Sequence, residues 1–251
     1  MGIVHHARSR PPVSPACACD LREVSRPAAN ASLEPAMRTE TAAVEWEGGR
    51  VSAVWHAPAH GRTYLVLGHG AGGTMFTPEL VKFSEALAGR GIGAVRFNFP
   101  YAEARRRAPD RQPVLEACYR VVAEQAARSA DRLLVGGRSM GGRIASHLVA
   151  AGFAAAGLVF LSYPLHPPGQ PDRLRDKHLY TITMPMLFLQ GTRDAFARPQ
   201  LLQRTLARLP TATLHRVENA DHGLRVPGRS SDEVIAELVE ATVSWIEDLP
   251  R

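Results

Sequence analysis

From Thr41 onward the chain alternates two textures, and that alternation restricts it to one class of fold. Short β-branched or apolar runs read as strands: Val51–His56, Thr63–Leu67, Gly93–Phe97, Arg132–Val135, Leu158–Leu161, Met186–Leu189 and Thr213–Val217. Longer stretches with helical spacing lie between several of them: Thr77–Gly89, Val114–Arg128, Gly141–Ala151, Pro199–Leu209 and Asp232–Asp248. Strands that read as continuous apolar runs are covered on both faces, which parallel sheets with crossover helices provide. The first extended segments, near Thr41–Trp46 and Arg50–His56, are separated by Gly48-Gly49, a two-residue turn signal for an antiparallel hairpin. The expectation is an α/β fold: a mostly parallel mixed sheet of about seven or eight strands, antiparallel at its N-terminal edge, with helices on both faces.

A chain of 251 residues, 45% hydrophobic and 22% charged, is long enough for one well-buried domain without disulfides or metal. No apolar run approaches the roughly 18 residues a membrane helix needs. The formal net charge is +6, which raises nucleic acid or a membrane surface as partners. The distribution argues against both. Lys82 and Lys177 are the only lysines among 30 cationic residues, the arginines are scattered, and the one dense run, Arg105-Arg106-Arg107 with Arg111, reads as a solvated loop. No zinc-finger spacing, RNP-like sequence or heptad run is present.

Residues 1–36 are rich in proline and small residues and keep no period of 2 or 3.6, so they read as a disordered tail ahead of a domain over 37–251. Met37 stands where the structured pattern begins, and a true translation start there is one reading of the tail. Two of three cysteines, Cys17 and Cys19, fall in the tail and the third is Cys118. An odd count without framework spacing, and no secretory-type apolar stretch, predict a reducing cytoplasmic location. Cys17 and Cys19 have no evident ligand partners, so no metal is expected.

Loops after parallel strands carry function in such folds, and four are chemically loaded. The first is His69-Gly70-Ala71-Gly72-Gly73. Gly68-x-Gly70-x-x-Gly73 formally matches a dinucleotide fingerprint, but the next strand ends Val95-Arg96-Phe97-Asn98 without the carboxylate that holds a ribose. No nucleotide cofactor is expected. A turn that points a backbone N–H into a site is the better reading, with His69 structural.

The second loop is Gly137-Arg138-Ser139-Met140-Gly141, between a strand and a helical stretch. That context is a nucleophile elbow: the serine is held strained and exposed, and glycines two positions away let strand and helix approach. Met140 N–H, at the helix start, is the expected donor to a developing oxyanion. A serine hydroxyl needs a base and the base an orienting acid. Later in the chain Gly191-Thr192-Arg193-Asp194 and Asn219-Ala220-Asp221-His222-Gly223 each follow a strand, in the chain order such sites use. Asp221 competes for the acid role, but its adjacency to His222 points its side chain away, which favours Asp194.

These four loops, over roughly Thr41–Leu249, resemble the α/β-hydrolase superfamily, and most closely its small dienelactone-hydrolase and carboxylesterase-like members. Arg96-Phe97-Asn98-Phe99-Pro100-Tyr101 and Ser162-Tyr163-Pro164-Leu165-His166 are similar to a little-characterised intracellular branch. The resemblance implies an α/β-hydrolase fold, Ser139 as nucleophile, His222 as base, Asp194 as its acid, and Ala71 and Met140 N–H groups as oxyanion hole. Some dienelactone hydrolases carry a cysteine nucleophile, where serine stands here.

The segment Ser162–Thr183 holds Pro164, Pro167, Pro168 and Pro171 and is too short for a large cap domain, so the cleft should be open to small acyl groups. His166 and His178, and the Tyr101–Arg111 loop, line its mouth or are solvated. Arg138 and Arg143 flank the elbow and either favour an anionic substrate or pair with surface carboxylates. The function expected is a serine hydrolase acting on a small-molecule ester or thioester through an acyl-enzyme, without cofactor, nucleic acid or membrane. The alternatives are a non-catalytic binding protein on the same scaffold and an acyltransferase or perhydrolase.

Overall fold

The computed structural model describes residues 1–2, 38–58 and 60–250. The tail expected over 1–36 lies, but for its first two residues, outside them, as do Met37, Cys17 and Cys19.

Eight strands form one sheet: β1 (Arg38–Trp46), β2 (Gly49–Ala57), β3 (Thr63–Gly68), β4 (Gly93–Phe97), β5 (Arg132–Arg138), β6 (Gly157–Leu161), β7 (Met186–Gly191) and β8 (Ala212–Val217). Their spatial order is β1-β2-β4-β3-β5-β6-β7-β8. β2 pairs antiparallel with both β1 and β4, and every other pair is parallel. This is the mixed sheet with an antiparallel N-terminal edge that the patterning implies. The hairpin turn sits one residue earlier than expected, on Glu47-Gly48, because Trp46 pairs directly with Gly49.

Strands β4, β6 and β7 are buried at every position. Their largely apolar sequences, broken only by buried Arg96 and Gln190, follow from cover on both faces. One face carries α3 (Gln112–Ala127), α4 (Met140–Ala150) and α5 (Pro199–Leu206), whose Leu115, Ile144 and Leu202 belong to one apolar cluster. The other carries α1 (Pro78–Gly89) and α6 (Ser231–Glu247), whose Phe83 and Leu238 belong to the second. Helix α6 begins with a full capping box, Ser230 and Glu233 each satisfying the other's backbone N–H.

A short helix that the spacing did not announce, α2 (Pro100–Glu103), starts on Pro100 just after β4. Glu103 accepts from Ser52 N–H at 3.1 Å and from Asn98 Nδ2 at 3.0 Å, which ties it to the sheet. The Arg105–Arg107 run and Arg111 are exposed, as read from the sequence. The segment after β6 has no helical cap, only a 3-10 turn at Lys177–Thr181. Its later part, including residues 168–170 and 172–174, is exposed, but its start is not. Ser162 through His166 are buried. Among the described residues no helix is long and apolar enough to cross a membrane.

Candidate active site

All four loaded loops emerge at the carboxyl ends of parallel strands of the one sheet, β3, β5, β7 and β8. Strand β5 runs three residues further than its apolar core and delivers Ser139 at the start of α4. Ser139 sits at φ 50°, ψ −112°, a region L-residues seldom occupy. The glycines around it are required by contact. A Cβ at Gly137 (φ 144°) would lie 2.2 Å from Gly68 O, and one at Gly141 would lie 2.1 Å from the same atom. Tyr119, from α3, braces this strand pair. Its hydroxyl is 2.7 Å from both Val66 O and Gly136 O and accepts Gly136 N–H at 2.9 Å.

The loops after β7 and β8 are laced together. Thr192 N–H donates to Val217 O, Arg193 N–H to Ala220 O at 2.9 Å, and Asn219 N–H to Thr192 Oγ1 at 2.8 Å. The lacing brings Asp194 and His222 together. His222 Nε2 is 2.8 Å from Ser139 Oγ, and His222 Nδ1 is 2.9 and 2.8 Å from the two oxygens of Asp194. The network assigns the histidine proton to Nδ1, leaving Nε2 to accept from the serine.

Asp194 has a fully buried side chain. Besides His222 it accepts Phe196 N–H at 2.7 Å and Gln190 Nε2–H at 2.6 Å, which satisfy the carboxylate and fix its orientation. Phe196 also stacks on the His222 ring, centroids 4.1 Å apart at 26°. Neither Gln190 nor Phe196 was singled out in the sequence. Their positions, four before and two after Asp194, are the only signal either carries. Asp221 is engaged elsewhere: it accepts Gly223 and Arg225 N–H groups and pairs with the Arg225 guanidinium, which shapes the turn holding His222.

The glycine loop after β3 lies against the serine. A Cβ at Gly70 would be 3.6 Å from Ser139 Cβ. No helix opens on these glycines, since α1 begins only at Pro78, so the pyrophosphate-binding geometry of a dinucleotide site is absent. His69 is fully buried. Phe99 N–H donates to its Nε2 at 3.1 Å, so its Nδ1–H donates to Gly70 O at 2.9 Å. Burial pushes its pKa down to about 4, against a raising effect from the Gly70 carbonyl, so the ring is neutral. Gly70 O also accepts from Tyr101 O–H at 3.3 Å and from Gly73 N–H at 3.1 Å. Ala71 is exposed. Neither Ala71 N–H nor Met140 N–H donates to a backbone or side-chain acceptor among the described residues.

His166 is buried and His178 half-buried, so neither is a freely solvated loop residue. Buried His166 places Nδ1 2.9 Å from Pro167 O and accepts Arg198 N–H on Nε2, latching the segment after β6 to the loop before α5. His178 stacks on His147 of α4, centroids 3.6 Å apart, with Nε2 2.8 Å from Ser146 Oγ. Desolvation, aided by His147 and Arg143, pushes the His178 pKa down to about 3. Cys118 is a free thiol buried in α3, its pKa pushed up to about 12 by burial, and lies in the apolar core. Among the described residues no three His, Cys, Asp or Glu side chains converge as a metal site.

The fold agrees with comparisons to known proteins. The chain is similar to the structure of dienelactone hydrolase from Anabaena variabilis, at 15% identity and a TM-score of 0.67, over 86% of this chain and 99% of that one. It is similar to a lidless α/β serine hydrolase from Xanthomonas campestris at 20% identity and a TM-score of 0.65, over 85% and 96%. It is also similar to Est1E from Butyrivibrio proteoclasticus with ferulic acid bound, at 12% identity and a TM-score of 0.68, over 82% and 100%. Likeness at such identities shows a shared fold. Residues 61–247, most of the chain, match the family described as alpha/beta hydrolase domain, and the chain belongs to that family.

Proposed function

We propose that this chain is a serine hydrolase that cleaves a small acyl ester or thioester through an acyl-enzyme. The observation that carries the reading is the unbroken hydrogen-bonded line from Ser139 Oγ through His222 to buried Asp194, on a serine held at φ 50°. In this reading Ser139 Oγ attacks the substrate carbonyl while His222 Nε2 takes its proton. Asp194 holds the Nδ1–H tautomer and stabilises the imidazolium. His222 then protonates the leaving group, and a water, deprotonated by the same nitrogen, releases the acyl group.

The oxyanion of each tetrahedral intermediate is held by the N–H groups of Met140 and Ala71. Ala71 N–H shares its peptide group with the Gly70 carbonyl. Three donors on that carbonyl, His69, Tyr101 and Gly73, fix the plane of the peptide and polarise its N–H toward the site. The absence of a helical cap among the described residues favours small acyl groups over long buried chains. The single domain over 37–251, a small-molecule partner and a cytoplasmic location belong to the same proposal.

The test is hydrolysis of 4-nitrophenyl esters of rising chain length. Wild type should turn over short esters with an initial burst from acyl-enzyme accumulation. Ser139→Ala should fall by about 10⁶-fold in kcat. Activity retained in Ser139→Ala would refute the assignment.

A further inference from the structure

We propose that the cleft takes an ester carrying a second, free carboxylate, and that the Arg138 guanidinium binds it. The proposal rests on the hydrolase reading and names the substrate class of the same site. Arg138 stands immediately before the proposed nucleophile. A Cβ at Gly70 would meet Arg138 Nη1 at 3.1 Å and Ser139 Cβ at 3.6 Å, so guanidinium and serine both border the space beside Gly70.

The Arg138 side chain makes no hydrogen bond or ion pair among the described residues. Its Nε is shut off from solvent with no acceptor. A half-buried guanidinium without an acceptor is costly, and an anion that engages its free nitrogens recovers that cost. Three carboxylates have partners of their own, although Asp110 Oδ2 is buried without one. Asp110 pairs with Arg106 at 2.6 Å, Glu116 accepts from Gln112 at 2.7 Å, and Asp194 holds His222. Two further arginines add to the positive field. Among the described residues Arg143, one turn into α4, donates only to the neutral Gln112 Oε1, at 3.3 Å, and half-buried Arg175 lies close enough to Arg143 to feel its charge.

A planar guanidinium matches a carboxylate fork. A negative group on the substrate also suits an open cleft, where a charged tail can keep part of its hydration. Arg138 could instead serve the oxyanion, and the two roles differ in what they do to a neutral substrate.

The experiment compares kcat/KM for mono-4-nitrophenyl glutarate and 4-nitrophenyl valerate, which have the same acyl length and differ in the terminal carboxylate. Wild type should favour the glutarate by about 10- to 100-fold. Arg138→Gln should bring that ratio close to one, and Arg138→Lys should keep part of it. A wild-type ratio near one, or a ratio unchanged in Arg138→Gln, overturns the proposal and leaves the hydrolase reading intact. An equal fall for both esters in Arg138→Gln assigns Arg138 to the oxyanion and likewise overturns it. If folded wild type cleaves neither ester, the hydrolase reading fails. Calorimetric titration with glutarate then decides the subsite: binding lost in Arg138→Gln supports it, and no binding to wild type overturns it.

Discussion

Replacing Gly137 by alanine tests whether the elbow is held by contact. Two costs add there. A non-glycine residue at φ 144° carries a strain of about 1–3 kcal/mol. The new Cβ would also lie 2.2 Å from Gly68 O and 2.7 Å from Gly68 N, on the backbone of paired strand β3, which cannot move without breaking the ladder. Overpacking of this kind costs about 1–3 kcal/mol, and the rigid neighbour puts this site at the upper end. The expected loss is about 3–5 kcal/mol, a large part of a typical domain's 5–15 kcal/mol. Gly152→Ala separates the two terms. It shares a positive φ, 92°, but its Cβ would meet nothing within 4 Å, so about 1–2 kcal/mol is expected. Urea unfolding of both variants measures the difference. Equal losses would refute the argument that close approach of β5 to β3 fixes the serine.

Three further outcomes follow from the site. Asp194→Asn should lower kcat by about 10³–10⁴-fold, because an amide leaves His222 in the wrong tautomer, while Asp221→Asn should cost less than tenfold; steady-state kinetics of the pair checks which acid orients the histidine. Tyr101→Phe removes one donor from the Gly70 carbonyl and should lower kcat by about 3- to 10-fold with KM little changed, and a change confined to KM would contradict its indirect role. Stability should fall with acidity: His69 and His178 are neutral in the fold, with pKa values near 4 and 3 against 6.5 for free histidine. Above pH 6.5 both states are neutral and their contribution is complete; below it the unfolded chain takes up protons the fold refuses. The unfolding free energy should drop by roughly 2–4 kcal/mol from pH 7 to pH 5. A flat profile over that window would contradict the burial of both rings.

The parallel strands were legible because burial on both faces writes itself into sequence as unbroken apolar runs, as in Leu158–Leu161 and Met186–Leu189. The loops could be ranked because their glycines and chemically active residues each follow such a run. What stayed hidden depends on neighbours distant in sequence. Tyr119 reads as an apolar helix position, yet its hydroxyl braces β3 against β5. Gln190 looks like the polar end of a strand and proves to donate to Asp194. The proline-rich stretch after β6 reads as solvated loop. Its Tyr163 and Leu165 are core residues, and His166 is a latch whose acceptor role needs the Arg198 N–H to be in place. Helix α2 has only four residues, too few for any period, and is held by Glu103 reaching back to β2.

The central claim is that Ser139 is an activated nucleophile. A fluorophosphonate probe reacts with such a serine and not with an ordinary hydroxyl, so intact mass and peptide mapping of the labelled full chain test the claim directly. The account predicts a single adduct on Ser139, lost in Ser139→Ala and strongly slowed in His222→Ala. Failure of the folded wild type to label, or an adduct that persists in Ser139→Ala, would contradict it.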